Sequence, residues 1–306
     1  MTTSINPRSD SLLLAIERIS GHIESAQAQM SSGYRINKAS DDPASAGLVI
    51  TLQSMLSKSG QAKLNLNRYS AEVNSAETSL SSAVELIDRA IALATQAASD
   101  TFKADRTSMS SQAADLLQQM VGLASTSVEG RYIFSGGADG KVPYLLDLAN
   151  PPTGVSAQMQ FTPPRTILDA TGVALPSALT ADTIFNATDS SGNPLPENVF
   201  AALNQLRLAL ENDDTSEVQS ALDSLQSASS HTNRQLAHYG ALQQRLDDAK
   251  AVAEKFELNW TAALSDVRDA DIPTAAIELT QSQVHLQAAY SAAAQDQRLS
   301  LFDYLK

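Results

Sequence analysis

Residues 64–98 read LNLNRYSAEVNSAETSLSSAVELIDRAIALATQAA. Apolar residues fall at Leu66, Val73, Leu80, Ile87 and Ala94, with a second row at Tyr69, Ala76, Ala83, Ala90 and Ala97. Steps alternating between three and four residues are the a/d seam of a coiled coil. Ser, Asn, Asp and Glu fill most of the other faces. The d row is nearly all alanine, so a neighbouring backbone can come close. A helix of this kind must bury its seam against another helix, in this chain or in another molecule.

Working outward from it, a polar connector, Tyr34 to Ala39, and the sequence Ser40-Asp41-Asp42-Pro43 precede this helix. Asp42 is placed to accept from the first free amides, and Pro43 suits a first helical turn. The acidic pair is read as a helix cap, because a metal ion needs more oxygen ligands than it offers. Before it, residues 5–30 form a first helix with the seam Leu12, Ile16, Ile19, Ile23, Ala26 and Met30. Gly33 suits a left-handed helix end. The second helix runs from Ala44 to about Ser99, about 80 Å at ~1.5 Å per residue. A third helix is expected over Arg106–Glu129, stopped by Gly130.

Composition then changes. Eight of the 11 prolines and seven of the 13 glycines fall between Gly130 and Pro196. Short apolar runs at Tyr132–Phe134, Val155–Phe161 and Thr183–Phe185 predict strands in a small β-rich insertion. The Gly136–Gly140 cluster has no Lys-Ser/Thr ending and no strand–loop–helix setting, so it reads as a turn and not a phosphate loop.

Helix returns at Glu197, breaks at Asn212-Asp213-Asp214, and resumes with Asp214 and Glu217 resembling a capping box. The next helix runs to about Asp269. Its seam includes Val218, Leu222, Leu225, Leu236, Leu242 and Leu246, interrupted by Ser229 and Thr232. It matches the second helix in length, so the two are expected side by side. After Asp271-Ile272-Pro273, a last helix spans Thr274–Leu305, with Leu279, Leu286, Tyr290 and Ala293 on one face and Leu299, Leu301, Phe302 and Leu305 crowding its end. Gln283 and Gln297 interrupt its seam, so it is marginal without partners.

The fold expected is mainly α: a long antiparallel coiled-coil bundle built from the N- and C-terminal segments, with a β-rich insertion. Three parts are expected: residues 1–42 with 271–306 as a terminal assembly domain, 43–135 with 197–270 as a long-helix bundle, and 136–196 as an outward-facing insertion. The assembly interface is assigned to Leu12, Ile16, Ile19, Ile23, Leu279, Leu286, Tyr290, Leu299 and Leu305. The bundle seam is assigned to Leu66, Val73, Leu80, Ile87, Leu225, Leu236 and Leu246.

Composition narrows the function. The chain of 306 residues is 43% hydrophobic but only 5% aromatic, which suits long helices better than a compact enzyme core. A net charge of −13 offers no basic patch for nucleic acid or anionic membrane. No cysteine is present, which excludes disulfides and thiolate metal sites. No apolar run approaches the roughly 20 residues of a membrane span, and Met1–Asp10 has no signal-peptide core. His231 and His238 are seven residues apart, about 10 Å along a helix, too far to share a metal ion. All four histidines read as solvated or seam-flanking. No nucleophile elbow or His-Glu-x-x-His helix occurs. No enzyme, cofactor or metal is expected.

Met30 to Ala44 reads MSSGYRINKASDDPA. It resembles the N-terminal signature of the flagellin superfamily, an LSSG-x-RIN-x-A-x-DD run. Ser265 to Asp271, followed by a helix rich in Ala, Gln and Ser and ending in leucines, is similar to the superfamily's C-terminal end. The resemblance spans roughly residues 1–135 and 200–306 and makes Arg35, Ile36, Asn37, Asp41 and Asp42 a family-signature loop. Arg131 to Gly137, followed by Pro143-Tyr144, is similar to the run carried by the hook–filament junction branch. Flagellins usually carry a different run there. The resemblance implies an extracellular structural subunit of the bacterial flagellum, exported by the flagellar type III system, with terminal helices pairing into an inner tube. The partners it implies are other axial proteins, hook-associated protein 1 and flagellin, further copies of the same chain, and a flagellar export chaperone. Two other readings stay open: a filament-forming flagellin and a cytoplasmic coiled-coil adaptor.

Overall fold

A computed structural model describes residues 7–99, 105–163, 165–175 and 178–304. Among these lie seven helices: α1 Pro7–Ser32, α2 Pro43–Ala97, α3 Arg106–Ala124, α4 Ala181–Phe185, α5 Val199–Glu211, α6 Thr215–Arg268 and α7 Ile272–Tyr304. The strands are short: β1 Ser127–Val128 pairs antiparallel with β2 Arg131–Tyr132, and β3 Tyr144–Leu146 with β4 Val155–Ala157. The mainly helical reading therefore holds, with small strand pairs between α3 and α5.

Two elements differ from expectation. The third helix stops at Ala124, not Glu129. Glu129 and Gly130 both take positive φ, 52° and 77°, and turn the chain into the β1–β2 hairpin. Two successive residues with φ > 0 make the tightest hairpin turn, which no helix can continue through. The second difference is Thr183–Phe185, expected as a strand and observed in the short helix α4. Its apolar residues are too few to show a period. Ile184 and Phe185 are fully buried, which either conformation would have allowed.

The chain divides into two compact units, residues 1–58 with 256–306 and residues 59–255; the dividing line falls inside α2 and α6. In the larger unit α2 and α6 run antiparallel. Ser59 donates to the Ala253 carbonyl, Lys250 to Ser70, and Gln243 to Asn74 and Glu77. Their seam is dry. Leu66, Leu80, Ile87, Leu225 and Leu246 are fully buried, Val73 nearly so, and Leu236 lies partly buried against the same core. Helix α3 packs on α5.

An aromatic cluster continues this core. Phe134 meets Phe185 and Tyr239 edge-on, and Phe200 lies against both Phe185 and Tyr144. The run Phe134-Ser135-Gly136 is fixed by this setting. Phe134 and Ser135 are fully buried, and Ser135 donates to the Lys141 carbonyl. Gly136 has φ +65°, and a Cβ there would lie 2.1 Å from the Thr162 carbonyl oxygen.

One residue pins the end of the bundle. Arg106, 2% exposed, donates to the Ala97 carbonyl at the end of α2 and to Thr215 Oγ1 at the start of α6. It also pairs with Asp213 in the α5–α6 turn. Four helix ends thus meet on one guanidinium, which satisfies a terminal carbonyl that α2 cannot pair internally.

In the smaller unit α1 packs along α7. The far end of α1 is tied to the start of α7, because Ala270 N donates to the Gly33 carbonyl, so the two run antiparallel. A small apolar cluster of Ile36, Val49, Leu52 and Leu264, with Trp260 and Val267 against it, supports the loop between α1 and α2.

Candidate functional site: a clasp and an open seam

Of the five signature-loop residues, Arg35 and Ile36 reach the end of α6, next to its break with α7. Helix α1 ends at Gly33, whose φ of +76° turns the chain and whose amide donates to the Gln29 carbonyl. The next residues supply donors to the last carbonyls of α6. The amides of Arg35 and Ile36 both reach the Arg268 carbonyl, at 2.7 and 3.3 Å. The Arg35 guanidinium donates to the Val267 carbonyl at 2.7 Å and to Asp42 Oδ2 at 3.1 Å. From the other side, the Arg268 guanidinium lies 3.8 Å over the Tyr34 ring, a cation–π contact.

The remaining loop residues hold the loop itself. Asp41 Oδ2 accepts from the amides of Asn37 and Lys38, and Asn37 Nδ2 donates to the Tyr34 carbonyl. Asp42 Oδ1 accepts from Ser45 N, the cap at the start of α2. Hydrogen bonds from Ser45 and Arg35 hold the Asp42 carboxyl below its ordinary value. Ile36, 7% exposed, is the one apolar member and plugs the cluster beneath. Each signature residue therefore has a mechanical task, and together they stitch two chain breaks into one joint. Arg268 and Asp269 complete that joint but carry no periodicity that would single them out. The only signal for them was the resemblance of Ser265–Asp271.

Beyond the clasp the α1–α7 pair is only partly covered. On α1, Leu12, Ile16, Ile19 and Ile23 are half-buried and Ala26 is buried, while Leu13 and Leu14 are 64% and 62% exposed. On α7, Ala275 is buried and Leu279 and Leu286 are half-buried, but Ile277, Val284 and Tyr290 stay 55–60% exposed. Tyr290 thus stands outside the stripe that faces α1. The Leu299 side chain and Leu305 lie outside the described residues.

Among the described residues no group of three or more His, Asp or Glu is placed to hold a metal ion. His231 is buried, 6% exposed, and its Nε2 lies 3.0 Å from the Thr183 carbonyl. Of the two readings the sequence left open, solvated or seam-flanking, it takes the second: a packed joint between α6 and α4. Glu72, on α2, faces Arg131 and Arg165, which also pair with Asp139. Burial pushes the Glu72 carboxyl above its ordinary value, against the pull of Arg131. Burial likewise raises the Tyr69 phenol to about 12. These groups join α2 to β2 and to the segment after it, and line a small cleft of about 30 Å³.

Comparison with known proteins places these features. Residues 4–139 match the family model for the bacterial flagellin N-terminal helical region, and residues 202–305 the one for the C-terminal helical region. Flagellar hook-associated protein 3 of Escherichia coli is 26% identical over 91% of this chain and 91% of its own. Flagellin FlaB2 of Treponema pallidum is 24% identical over 87% of this chain and 86% of its own. The crystal structure of flagellar hook-associated protein 3 from Legionella pneumophila superposes with a TM-score of 0.58, covering 72% of this chain and 98% of that one at 15% identity.

Proposed function

The chain belongs to the flagellin superfamily, and from that premise we propose that it is a structural subunit of the bacterial flagellum, joining hook to filament through axial packing of its terminal helices. The observation that carries this reading is the pairing of α1 with α7 as a two-helix stalk whose outer faces keep large apolar residues in water. Large apolar residues left exposed along both helices of one pair favour burial against a further partner. Near full-length similarity to a hook-associated protein 3 favours the junction over the filament. Similarity to flagellins, Flagellin FlaB2 of Treponema pallidum over most of the chain and Flagellin B of Helicobacter pylori over 39% of it, favours the filament reading.

On this reading Leu12, Ile16, Ile19, Ile23, Leu279, Leu286, Tyr290, Leu299 and Leu305 serve the contacts between subunits. Residues 1–42 with 271–306 act as the assembly domain, 43–135 with 197–270 as the long-helix bundle, and 136–196 as the outward-facing insertion. The partners are hook-associated protein 1, flagellin and further copies of the chain. The chain reaches its place through the flagellar type III system with an export chaperone, and it catalyses nothing. Family membership and the lack of any membrane-spanning helix among the described residues support the location in the flagellum.

The test is genetic. Deleting the gene should leave hooks that shed flagellin into the medium, and antibody should label only the base of the appendage. Normal filaments in the deletion strain, or label along the whole length, would reject the junction reading. Changing Leu12, Ile16, Leu299 and Leu305 to charged residues should leave a folded centre that supports no filament.

A further inference from the structure

A groove of about 620 Å³ lies along α5, in the larger unit. That volume falls in the range of ordinary ligand and peptide sites. Its floor is apolar: half-buried Ala201 and Leu208 face it, with the buried Ala202 and Ala209 behind them. Alanines let an incoming backbone come close.

Two pairs of prolines line it, Pro151-Pro152 and Pro194 with Pro196. Both pairs are held in place. Asn204 Nδ2 donates to the Pro152 carbonyl at 2.9 Å, and Gly154 follows with no room for a Cβ against Asn204 and Leu117. At the other pair Leu195 N donates to the Ala187 carbonyl and Asn198 N to the Leu195 carbonyl. Pro has little backbone freedom to lose, so the walls are formed before anything binds, which lowers the ordering cost of association.

The charge at this site has one sign. Asp214 and Glu217 line one end, and no lysine or arginine lines any part. Asp214 Oδ1 caps α6, accepting from Ser216 N and Glu217 N, so the helix end offsets that carboxylate. Glu217 stands in the first turn of the same helix, and its Oε2 accepts from a neutral donor, Gln205 Nε2, at 3.3 Å, with no cation among the described residues paired to it. The negative end of the α5 dipole adds to it.

We propose that this groove docks a short segment of another protein carrying an aliphatic residue next to a lysine or arginine. The aliphatic group fills the apolar floor beside the prolines, and the cation meets Glu217. The inference goes beyond the flagellar reading and stands or falls separately from it.

The test uses the full chain and two synthetic peptides, Leu-Lys-Leu-Ala-Lys-Leu and the same sequence with Glu for Lys, followed by amide NMR shifts. The Lys peptide should saturably shift Ala201, Gln205, Leu208 and Glu217, and the Glu peptide should not. Ala201→Trp, which fills the floor, and Gln205→Lys, which puts a cation beside Glu217, should each weaken binding by about tenfold. Gln205→Lys decides the matter if Ala201→Trp melts early. No binding, equal binding of the Glu peptide, or binding that survives both variants as general attraction to a chain of charge −13 would overturn the proposal. Shifts of the same amides with protein concentration alone would assign the groove to a second copy and overturn it too.

Discussion

The α1–α7 pair and the middle of α2 and α6 are written in the same seven-residue pattern, yet they end in different environments. Ile87 on α2 is fully buried, while Ile23, at a matching seam position on α1, is half-buried. The difference lies in what surrounds each seam. Two helices alone cover one stripe of each other. In the larger unit α3, α5 and the aromatic cluster add further walls. A heptad seam thus states that burial is needed, and the number of neighbours decides how much is obtained.

Applying one substitution to both regions gives the largest expected contrast. Ile87→Ala should cost about 2–5 kcal/mol, the usual range for emptying a packed core site. Ile23→Ala should cost under about 1 kcal/mol in the isolated chain, because much of the side chain stays in solvent. Urea unfolding followed by circular dichroism measures both. Equal losses would break the comparison.

Gly136→Ala should come next, at about 1–3 kcal/mol, from a positive φ and from the contact with Thr162. Hydrogen exchange should confine the change to amides of the larger unit, such as Ala181, which donates to the Phe134 carbonyl. Arg35→Gln acts on the other side of the comparison. It removes the bond to Val267 and the pair with Asp42, and should speed exchange at Ile36 and Ala270 while leaving the seam of α2 unchanged. Its cost is about 1 kcal/mol, since the groups are exposed.

The smallest effects come from pH, and they have opposite signs in the two regions. Asp42 is held below its ordinary value of 3.8, so it stabilises the fold above that pH and loses the contribution as pH falls through its lowered value. Asp42→Asn should therefore flatten the acid limb of the stability curve. Glu72 is raised above 4.5 by burial, so its contribution is full below 4.5 and is lost as pH rises through its raised value. A Glu72→Gln chain should show a shallower decline over that interval. Parallel pH responses from the two variants would contradict the assignment of burial to one carboxylate and hydrogen bonding to the other.

Long helices were legible because their signal repeats. The start of α2 at Pro43 and the cap at Asp42 follow from local chemistry, as does the left-handed Gly33. Asp214 does cap α6, but Glu217 turns to Gln205 in place of closing the capping box. The end of α3 was misplaced by a turn in which Glu129, a good helix former, takes φ +52° because the hairpin demands it. A repeat was also missed. Asp169 and Asp189 each accept through Oδ1 from the amides two and four residues on, and each is followed by a glycine at φ +84°. The two turns share Asp-x-x-Gly, a pattern too short to stand out from loop composition.

By itself, then, the order of residues determined where helices run, which stripe of each is apolar, where they are capped, and that no thiol chemistry is available. Those properties depend on spacing and on side chains acting within a few positions of themselves. Only the tertiary structure decided that Arg35 reaches the end of a helix 232 residues away, that Arg106 gathers four helix ends, and that His231 is buried. Each of those depends on groups brought together across the fold, and a lone arginine or histidine reads the same in a sequence whether it meets water or a carbonyl.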